Sequence, residues 1–505
     1  MAMTSVLSKR ICFLIVAFIS ATFLLAMFLR KPRVLAVNEV PIAFWAWRTN
    51  APDRLEIDNA YAATESKTLF LRAGQFDLVA NSVERIREVS GDLPTGVEIH
   101  LVYNATRDLL AGWSRLETTV LANKIAETYR ADLARGGRNS AQVRGLQLDL
   151  DIPTRLLPEY ARMLATLRSL LPSDTSLSIT GLPTWTDANE VQLVLHEVDF
   201  WIPQCYGGKI PTHLDQRIPI STPADVERTI AKVRRLGKSF YAGLSAYSYA
   251  ILYARNGSIV ELRGNIDPAR AVIEPNLELI ERGPFSEGSA ASGIRYAYRA
   301  QADLVLDGLV IHKNETLVFD VPTAESLRVS ARVVRENAGE LLRGICLFRL
   351  PSAGDLSMLG VAEIRAALAD VTTQAMTTVT VNDSDNHHLV LQAANDGNAS
   401  SVLGDGAFTA DVPIESGSIE GLSDLALFDS YETLCDGRPC SSARANLIRL
   451  KASSWRPGNI ASARIRLKRN APSTLQVLVT THIDDGRTDS KTVELQPIRG
   501  KKNES

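Results

Sequence analysis

Between residues 41 and 370, short apolar runs alternate with amphipathic stretches, and this alternation constrains the fold more than any other feature of the chain. Such alternation is typical of βα units whose strands form a mainly parallel sheet. The apolar runs fall at residues 42–47, 69–73, 97–103, 144–151, 176–181, 198–206, 240–245 and 344–350. Eight runs predict an α/β fold of the closed (β/α)8, TIM-like type. Helical periodicity is clearest at 156–171 and at 324–338, where Thr323 is placed to cap the helix.

Two regions depart from this alternation. About a hundred residues separate the seventh and eighth runs, which is too long for an ordinary connection, and they include strand-like pieces at 307–312 and 316–321. We therefore predict an insertion after strand seven, on the active face of the barrel. After residue 376, short alternating runs are separated by Asn, Asp, Gly and Ser clusters, which predicts an all-β, sandwich-like accessory domain. The predicted boundaries are 41–373 for the barrel and 376–498 for the β-domain.

The first 36 residues predict a membrane anchor. Residues 11–29 carry no charge, and basic residues flank them on both sides. About 20 apolar residues cross a bilayer as a helix, whereas the apolar part of a signal peptide is usually about 7–15 residues long. An uncleaved N-terminal transmembrane helix is therefore favoured, and the alternative is a long signal peptide cut after Ala36. Either segment sends the rest of the chain across the membrane, to the periplasm or the cell exterior.

The charge balance of the chain indicates which kind of partner to expect. The chain has 55 Lys and Arg against 57 Asp and Glu, a net charge of -2, which gives no broad field to attract nucleic acid. A neutral or small-molecule partner is expected.

Cys435 and Cys440 bracket the turn sequence Asp-Gly-Arg-Pro, which predicts a disulfide in an oxidising compartment. Four closely spaced thiol or imidazole ligands are missing from this sequence, and we predict neither a metal nor a cofactor.

The stretch 144–153 carries the residues best suited to chemistry. Side chains alternate faces along a strand, so Gln147, Asp149 and Asp151 point to one side and the intervening leucines to the other. If the leucines pack on the outer helices, the polar set lines the barrel interior near its active end. Two carboxylates about 7 Å apart oppose each other's ionisation, so one can keep a proton and act as a general acid. The alternatives are a buried ion-pair network and a cap on the helix after Pro153.

This stretch resembles the fourth strand of the family-eighteen glycoside hydrolases, the chitinases and endo-N-acetylglucosaminidases, whose motif is D-x-x-D-x-D-x-E. Arg144 and Gln147 stand at the first two Asp positions of that motif. Asp149 matches the third Asp, and Asp151 stands where the family has its catalytic Glu. The sequence also resembles a bacterial family known only by a domain-of-unknown-function label.

Later segments resemble the same hydrolase family in the same order. Residues 198–207 are similar to its sixth strand, where Tyr206 matches a tyrosine that holds the substrate acetamido group and Gln204 replaces a Met. Residues 240–247 are similar to the seventh strand, which an insertion follows in both. Phe348 lies where the family has a tryptophan under the reacting sugar.

The resemblance implies a retaining hydrolase that acts on an N-acetylhexosamine-containing glycan by substrate-assisted catalysis. Asp151 would protonate the leaving oxygen, and Asp149 would orient the acetamido group. The predicted substrate contacts are Gln147, Gln204, Tyr206, Trp47, Trp185 and Phe348. The two tryptophans are included because they fall near strand ends, where an aromatic ring can stack on a sugar.

The motif also supports a second hypothesis. Replacing Glu by Asp retracts the carboxyl group by about one C–C bond, and errors near 1 Å can lower rates by about 100-fold. A non-catalytic glycan-binding or envelope scaffold protein on the same barrel is therefore the alternative, and whether the chain is an enzyme stays open at this stage.

Overall fold

The computed structural model describes residues 33–47, 50–80, 82–138, 140–264, 266–286, 289–352, 354–383, 387–470, 472–496 and 498–499. The predicted membrane helix at 11–29 lies outside these residues. Within them, no helix combines the length and the apolar character needed to cross a bilayer.

Eight parallel strands close into a barrel. They are β1 (Ile42–Ala46), β2 (Thr68–Val79), β3 (Glu98–Ala105), β4 (Gln142–Asp149), β5 (Ser176–Gly181), β6 (Phe200–Pro203), β7 (Phe240–Ser245) and β8 (Leu342–Phe348). Each strand pairs in parallel with the next, and β1 pairs with both β8 and β2, which completes the ring. The predicted barrel is confirmed, and each predicted run overlaps one of its strands.

Helices surround the barrel. Those in the described residues are α1 (Arg54–Thr64), α2 (Arg107–Ala111), α3 (Thr118–Arg138), α4 (Leu157–Leu170), α5 (Val191–His196), α6 (Pro223–Arg235), α7 (Pro268–Ile273), α8 (Ala324–Asn337) and α9 (Val361–Leu368). Local sequence fixes where several of them begin. The Thr323 hydroxyl accepts a hydrogen bond from the Ser326 N–H at 3.1 Å and caps α8, as predicted. Thr222 caps α6 in the same way, through the Asp225 N–H at 3.1 Å.

Two additions extend the barrel. An antiparallel strand, Ser82–Glu88, follows β2 and pairs with its outer half, where the barrel pattern would place a helix. Between β7 and β8 the insertion forms a five-stranded antiparallel sheet and a small hairpin. The strands of the sheet are Tyr249–Tyr253, Ile259–Arg263, Leu277–Ser286, Ser289–Ala300 and Thr316–Val321, and those of the hairpin are Leu304–Leu306 and Leu309–Ile311. The piece predicted at 316–321 is a strand, whereas the piece predicted at 307–312 is the turn and second strand of the hairpin.

The C-terminal region consists of two mainly antiparallel sheets. The five-stranded sheet contains Ile419–Ala426, Ile460–Leu467, His388–Asn395, Thr377–Asp383 and Ile498–Arg499, and the six-stranded sheet contains Arg438–Pro439, Ser430–Cys435, Leu447–Ala452, Phe408–Pro413, Leu475–His482 and Thr488–Leu495. One hydrophobic core joins the two sheets, and in it Phe408 stacks on Trp455 with ring centroids 4.1 Å apart. Cys435 and Cys440 are joined by a disulfide with their Cα atoms 5.8 Å apart.

Aromatic rings fill the barrel interior at the N-terminal ends of the strands. Phe70 stacks on His100 at 4.9 Å between centroids, and Phe200 and Tyr241 complete this aromatic plug. The guanidinium of Arg343 lies 4.4 Å from the centroid of the Phe200 ring. Because side chains fill this layer, the barrel is closed at its N-terminal end, and any site must lie at the other end.

Candidate functional site

The two acids of β4 lie at the C-terminal end of the barrel. Asp149 is the last residue of β4 and is half-buried, and Asp151 follows two residues later with an exposed side chain. Leu146, Leu148 and Leu150 point outward and are buried in the core between barrel and helices. The predicted alternation along β4 is therefore observed, and it turns both carboxyl groups into the mouth of the barrel.

Neither structural alternative for the acids is present. No Lys or Arg among the described residues forms an ion pair with Asp149 or Asp151 within 4.0 Å. The short turn Thr154–Leu156 and helix α4 both begin without a side-chain cap. The carboxyl groups are thus left available to solvent or to a ligand.

Gln147 lies one layer below the acids and is fully buried. Its Oε1 accepts a hydrogen bond from the Trp45 indole N–H at 2.7 Å, and its Nε2 donates to the Ser178 hydroxyl at 3.3 Å. The prediction that Gln147 contacts substrate is therefore wrong, because a fully buried amide with both ends bonded cannot reach a ligand. Its role is to support the residues above it.

The surroundings of the acids favour a retained proton. Burial and, after it, the neighbouring Asp151 together raise the pKa of Asp149 to about 7, against the lowering effects of Thr180 and Arg72. Burial in the mouth also raises the pKa of Asp151, and the nearby Arg107 guanidinium opposes this. Two adjacent carboxyl groups with raised pKa values hold one proton between them near neutral pH.

Polar residues from neighbouring strands frame Asp149. The Thr180 hydroxyl at the end of β5 donates to Asp149 Oδ1 at 2.6 Å. On the other side Asn104 of β3 lies opposite Asp149 in the strand register, and its Oδ1 accepts from Arg72 Nε at 3.2 Å. Sequence analysis did not select Arg72 or Thr180. The alternation along β2 and β5 could have found them, since Arg72 shares the inward face of Phe70.

An aromatic wall made of Trp47, Phe348, Tyr206, Tyr247 and Tyr249 borders the acids. Ring centroids along it are 5.8 Å apart for Trp47 and Phe348, 4.7 Å for Phe348 and Tyr247, and 5.1 Å for Tyr247 and Tyr249. Tyr206 packs 6.4 Å from Phe348. Burial raises the pKa of Tyr206, and the charges of Tyr249 and of Asp149 add to this effect. Trp47 and Phe348 are half-buried and keep part of their surface open.

The wall unites three predicted contacts with two tyrosines that the sequence analysis missed. Trp47, Phe348 and Tyr206 lie at the ends of β1, β8 and β6, as predicted. Gln204 is half-buried directly after β6. Tyr247 and Tyr249 come from the segment after β7, and only the turn of the chain into the insertion brings them to Phe348.

Trp185 does not belong to the mouth. Its ring is fully buried, its Nε1 donates to the Ile152 carbonyl at 2.9 Å, and it packs against Tyr160 at 6.0 Å between centroids. The short helix Pro183–Asp187 turns the side chain back into the core outside the barrel. The prediction that Trp185 stacks on a sugar is therefore wrong.

Other features of the surface do not compete with this site. A groove of about 700 Å³ runs between helices α4 and α5 on the outside of the barrel and brings no pair of buried acids together. Among the described residues, no three His, Cys, Asp or Glu side chains are grouped closely enough to hold a metal ion.

A family model described as a domain of unknown function, DUF3142, matches residues 108–270, which include both acids and Tyr206. The predicted resemblance to such a family is confirmed. No curated protein matches the sequence.

The solved structures similar to this chain include three with low sequence identity to it. They are the spore cortex-lytic enzyme SleL of Bacillus cereus (14% identity, 66% of this chain and 74% of that chain, TM-score 0.42), a chitinase from Chromobacterium violaceum (13%, 65% and 99%, TM-score 0.44) and the chitinase-like agglutinin of Robinia pseudoacacia (12%, 65% and 99%, TM-score 0.39).

Proposed function

We propose that the barrel is a retaining glycoside hydrolase that cleaves an N-acetylhexosamine-containing glycan. The observation that carries this proposal is the acid pair, Asp149 and Asp151, which lies at the open end of the barrel near an aromatic wall and forms no ion pair with a cation of the described residues. Paired acids in a recess, with the pKa of one raised to about 7, are suited to general acid catalysis near neutral pH.

In the proposed reaction Asp151 is the acid, because its side chain is the more exposed of the two. It gives its proton to the leaving glycosidic oxygen while the acetamido oxygen of the substrate attacks the sugar carbon and the C–O bond breaks. Asp149, held by the Thr180 hydroxyl, orients the acetamido N–H and accepts its hydrogen bond. A water molecule then opens the cyclic intermediate and returns a proton to Asp151.

The aromatic wall suits the apolar faces of sugar rings. Half-buried Trp47 and Phe348 present part of their rings to the mouth, and the guanidinium of Arg72 lies 4.8 Å from the centroid of the Trp47 ring and fixes its orientation. The Tyr206 hydroxyl, close to the acids, is placed to hold a substrate carbonyl oxygen.

A second candidate, a non-catalytic glycan-binding or scaffold protein, is favoured by one observation. Gln147, at a position where the resembled motif has an acid, is bonded to Trp45 and Ser178 and has no free polar atom for the acids above it. The proton transfers of the site would then depend on only two carboxyl groups, one of them an Asp in place of the longer Glu.

The deciding experiment is hydrolysis of a panel of N-acetylhexosamine glycans by the full chain in detergent, beside Asp151→Asn and Asp149→Asn. We expect turnover by the wild type and a loss of about 100-fold or more in kcat for Asp151→Asn. Calorimetric binding of the same glycans to Asp151→Asn shows that the variant still folds and binds. If the wild type and both variants bind the glycans but none of them hydrolyses a glycan, the protein is a glycan-binding protein and not a hydrolase.

We also propose that the chain is held in a membrane by residues 11–29 and faces the periplasm or the cell exterior. The Cys435–Cys440 disulfide supports this location, because such bonds persist in oxidising compartments. Cell fractionation combined with labelling by a membrane-impermeant amine reagent tests it. Recovery in the cytoplasmic fraction with reduced Cys435 and Cys440 would contradict the proposal.

The same proposal includes a division of the chain into a barrel, 41–373, and a β-domain, 376–498. The main hydrophobic cores of the two parts are separate, which supports it, and a third core, in the insertion, also includes Val402, Leu403 and Ala407 of the β-domain. Arg456 of the second part donates to the Asp355 carbonyl of the first at 3.2 Å, so the two are in contact. Limited proteolysis is expected to cut near 373–376 and to leave two stable fragments.

A further inference from the structure

A second cavity, of about 550 Å³, is lined on one side by Tyr206 of the aromatic wall. It lies between the segment after β5, the segment after β6 and one face of helix α6. Tyr206 belongs both to this cavity and to the aromatic wall, and Asp149 and Asp151 are close enough to raise its pKa. A glycan bound at the acids and extended past Tyr206 therefore places a neighbouring sugar in the cavity, which is large enough for one.

The cavity has an excess of positive charge. Its lining includes four cations, Lys209, Arg217, Arg228 and Lys232, and two acids, Asp187 and Asp225. The acid mouth has the opposite character, with two carboxyl groups and no ion-paired cation among the residues that the structure describes.

The cations are not all committed to partners within the protein. Lys209 is exposed and forms no ion pair among the described residues. The other three cations each have one carboxylate partner: Arg217 pairs with Glu281 at 2.6 Å, Arg228 with Asp225 on the same helix, and Lys232 with Asp187 at 2.7 Å. These three side chains keep 51%, 61% and 40% of their surface exposed, and exposed pairs are weak, so an incoming anion can share these cations.

We infer that this cavity binds an anionic substituent of the glycan, a carboxylate or a sulfate or phosphate ester, on a sugar next to the one at the acid pair. The inference rests on the proposed function and names the class of its substrate: an acidic N-acetylhexosamine polymer. The exposed Lys209 has no carboxylate partner among the described residues and is therefore the cation that an anionic group would meet first, whereas an anion at the acid pair itself would be repelled.

The test uses matched oligomers of N-acetylglucosamine that differ in one group. One is neutral, one carries a lactyl ether carboxylate, one carries the methyl ester of that carboxylate, and one carries a 6-O-sulfate. Binding is measured by calorimetry on full-chain Asp151→Asn, so the result does not depend on turnover. We expect the carboxylate or the sulfate to bind about 5-fold or more tighter than the neutral oligomer, with the advantage of the carboxylate lost in its methyl ester. Which anion binds better identifies the substituent.

The protein side of the test is Lys209→Ala in the same background, with Lys67→Ala as the control. Lys67 is also exposed but lies immediately before β2, at the opposite end of the barrel. Lys209→Ala is expected to lower the preference for the anionic oligomer by about 3-fold or more, and the preference should also weaken as ionic strength rises above about 0.15 M. Lys67→Ala should leave it unchanged.

The two proposals can fail separately. Equal binding of the neutral and anionic oligomers, or a preference that Lys209→Ala does not alter, would overturn the inference even if the wild type hydrolyses both. If the chain hydrolyses none of the glycans but prefers the anionic oligomer, and Lys209→Ala lowers that preference, the inference is supported and the proposed hydrolase activity is rejected.

Discussion

The two ends of the barrel interior both bury titratable groups, but only one end opens to solvent. In the aromatic plug, burial lowers the pKa of His100 to about 4, with a further effect of the Arg343 charge, and packing closes the ring in. A Cβ added to Gly145 would lie only 2.4 Å from His100 Nδ1, so there is no room for a ligand beside it. At the mouth, burial raises the pKa of Asp149 to about 7, while its partner Asp151 is exposed.

This difference shows that a perturbed pKa does not identify a functional group. Burial suppresses charge at both ends, keeping His100 neutral and a proton on the acid pair. Of these groups only the acid pair is open to solvent, since the side chain of Asp151 is exposed and that of His100 is buried. The plug is therefore a structural layer, and the mouth is the candidate for chemistry.

Truncation in the plug is expected to give the largest change in stability. Phe70 is fully buried and contacts His100, Trp45, Phe200 and Tyr241. Phe70→Ala should lower the free energy of unfolding by about 4 kcal/mol, since it removes a ring and leaves a cavity. Urea denaturation measures this, with the exposed Leu55→Ala as the control. A loss below about 1 kcal/mol would show that the plug is loosely packed.

Replacing an acid of the mouth should have the opposite effect on stability. The pKa of Asp149 is raised in the folded chain from its ordinary value of 3.8 to about 7, so stability is lost as pH rises through this interval. Asp149→Asn should therefore stabilise the chain by about 2 kcal/mol at pH 8 and much less at pH 4. Thermal or urea unfolding at both pH values tests this, beside the exposed Asp92→Asn. Destabilisation at pH 8 would mean that Asp149 is held as a carboxylate.

The two tryptophans offer a smaller contrast between wall and core. Trp47→Ala should raise KM, or the Kd of a bound glycan, by about 10-fold because a stacking face is lost. Trp185→Phe should leave the Kd unchanged and lower the free energy of unfolding, since its bond to the Ile152 carbonyl is lost. Isothermal calorimetry and urea denaturation on each variant separate the two effects. A change in glycan affinity for Trp185→Phe would show that Trp185 is part of the glycan-binding site after all.

The sequence predicts the barrel and its acid pair because both depend on local patterns. Alternation along β4 is enough to separate Asp149 and Asp151 from the intervening leucines. The same alternation led to a wrong prediction for Gln147. It shows that the side chain points into the barrel but not how deeply it is buried, which depends on its hydrogen bond with Trp45.

What the sequence could not supply depends on contacts between distant segments. Trp185 turns outward because of the helix Pro183–Asp187 after β5, and no pattern in those residues fixes that direction. Tyr247 reaches Phe348 only because the insertion begins by folding back over the mouth, and the strand Ser82–Glu88 follows β2 where a helix was expected. The cationic cavity likewise combines residues from three separate segments.

The central claim, that the open acid pair and not the closed plug controls chemistry, is tested most directly by the pH dependence of kcat/KM. The account predicts that hydrolysis of an N-acetylglucosamine oligomer falls above about pH 7, where the shared proton of Asp149 and Asp151 is lost. The fall should move to lower pH in Asp149→Asn, because the remaining acid no longer has a charged neighbour, and should not move in His100→Gln. A profile unchanged in Asp149→Asn, or one shifted by His100→Gln, would contradict the account.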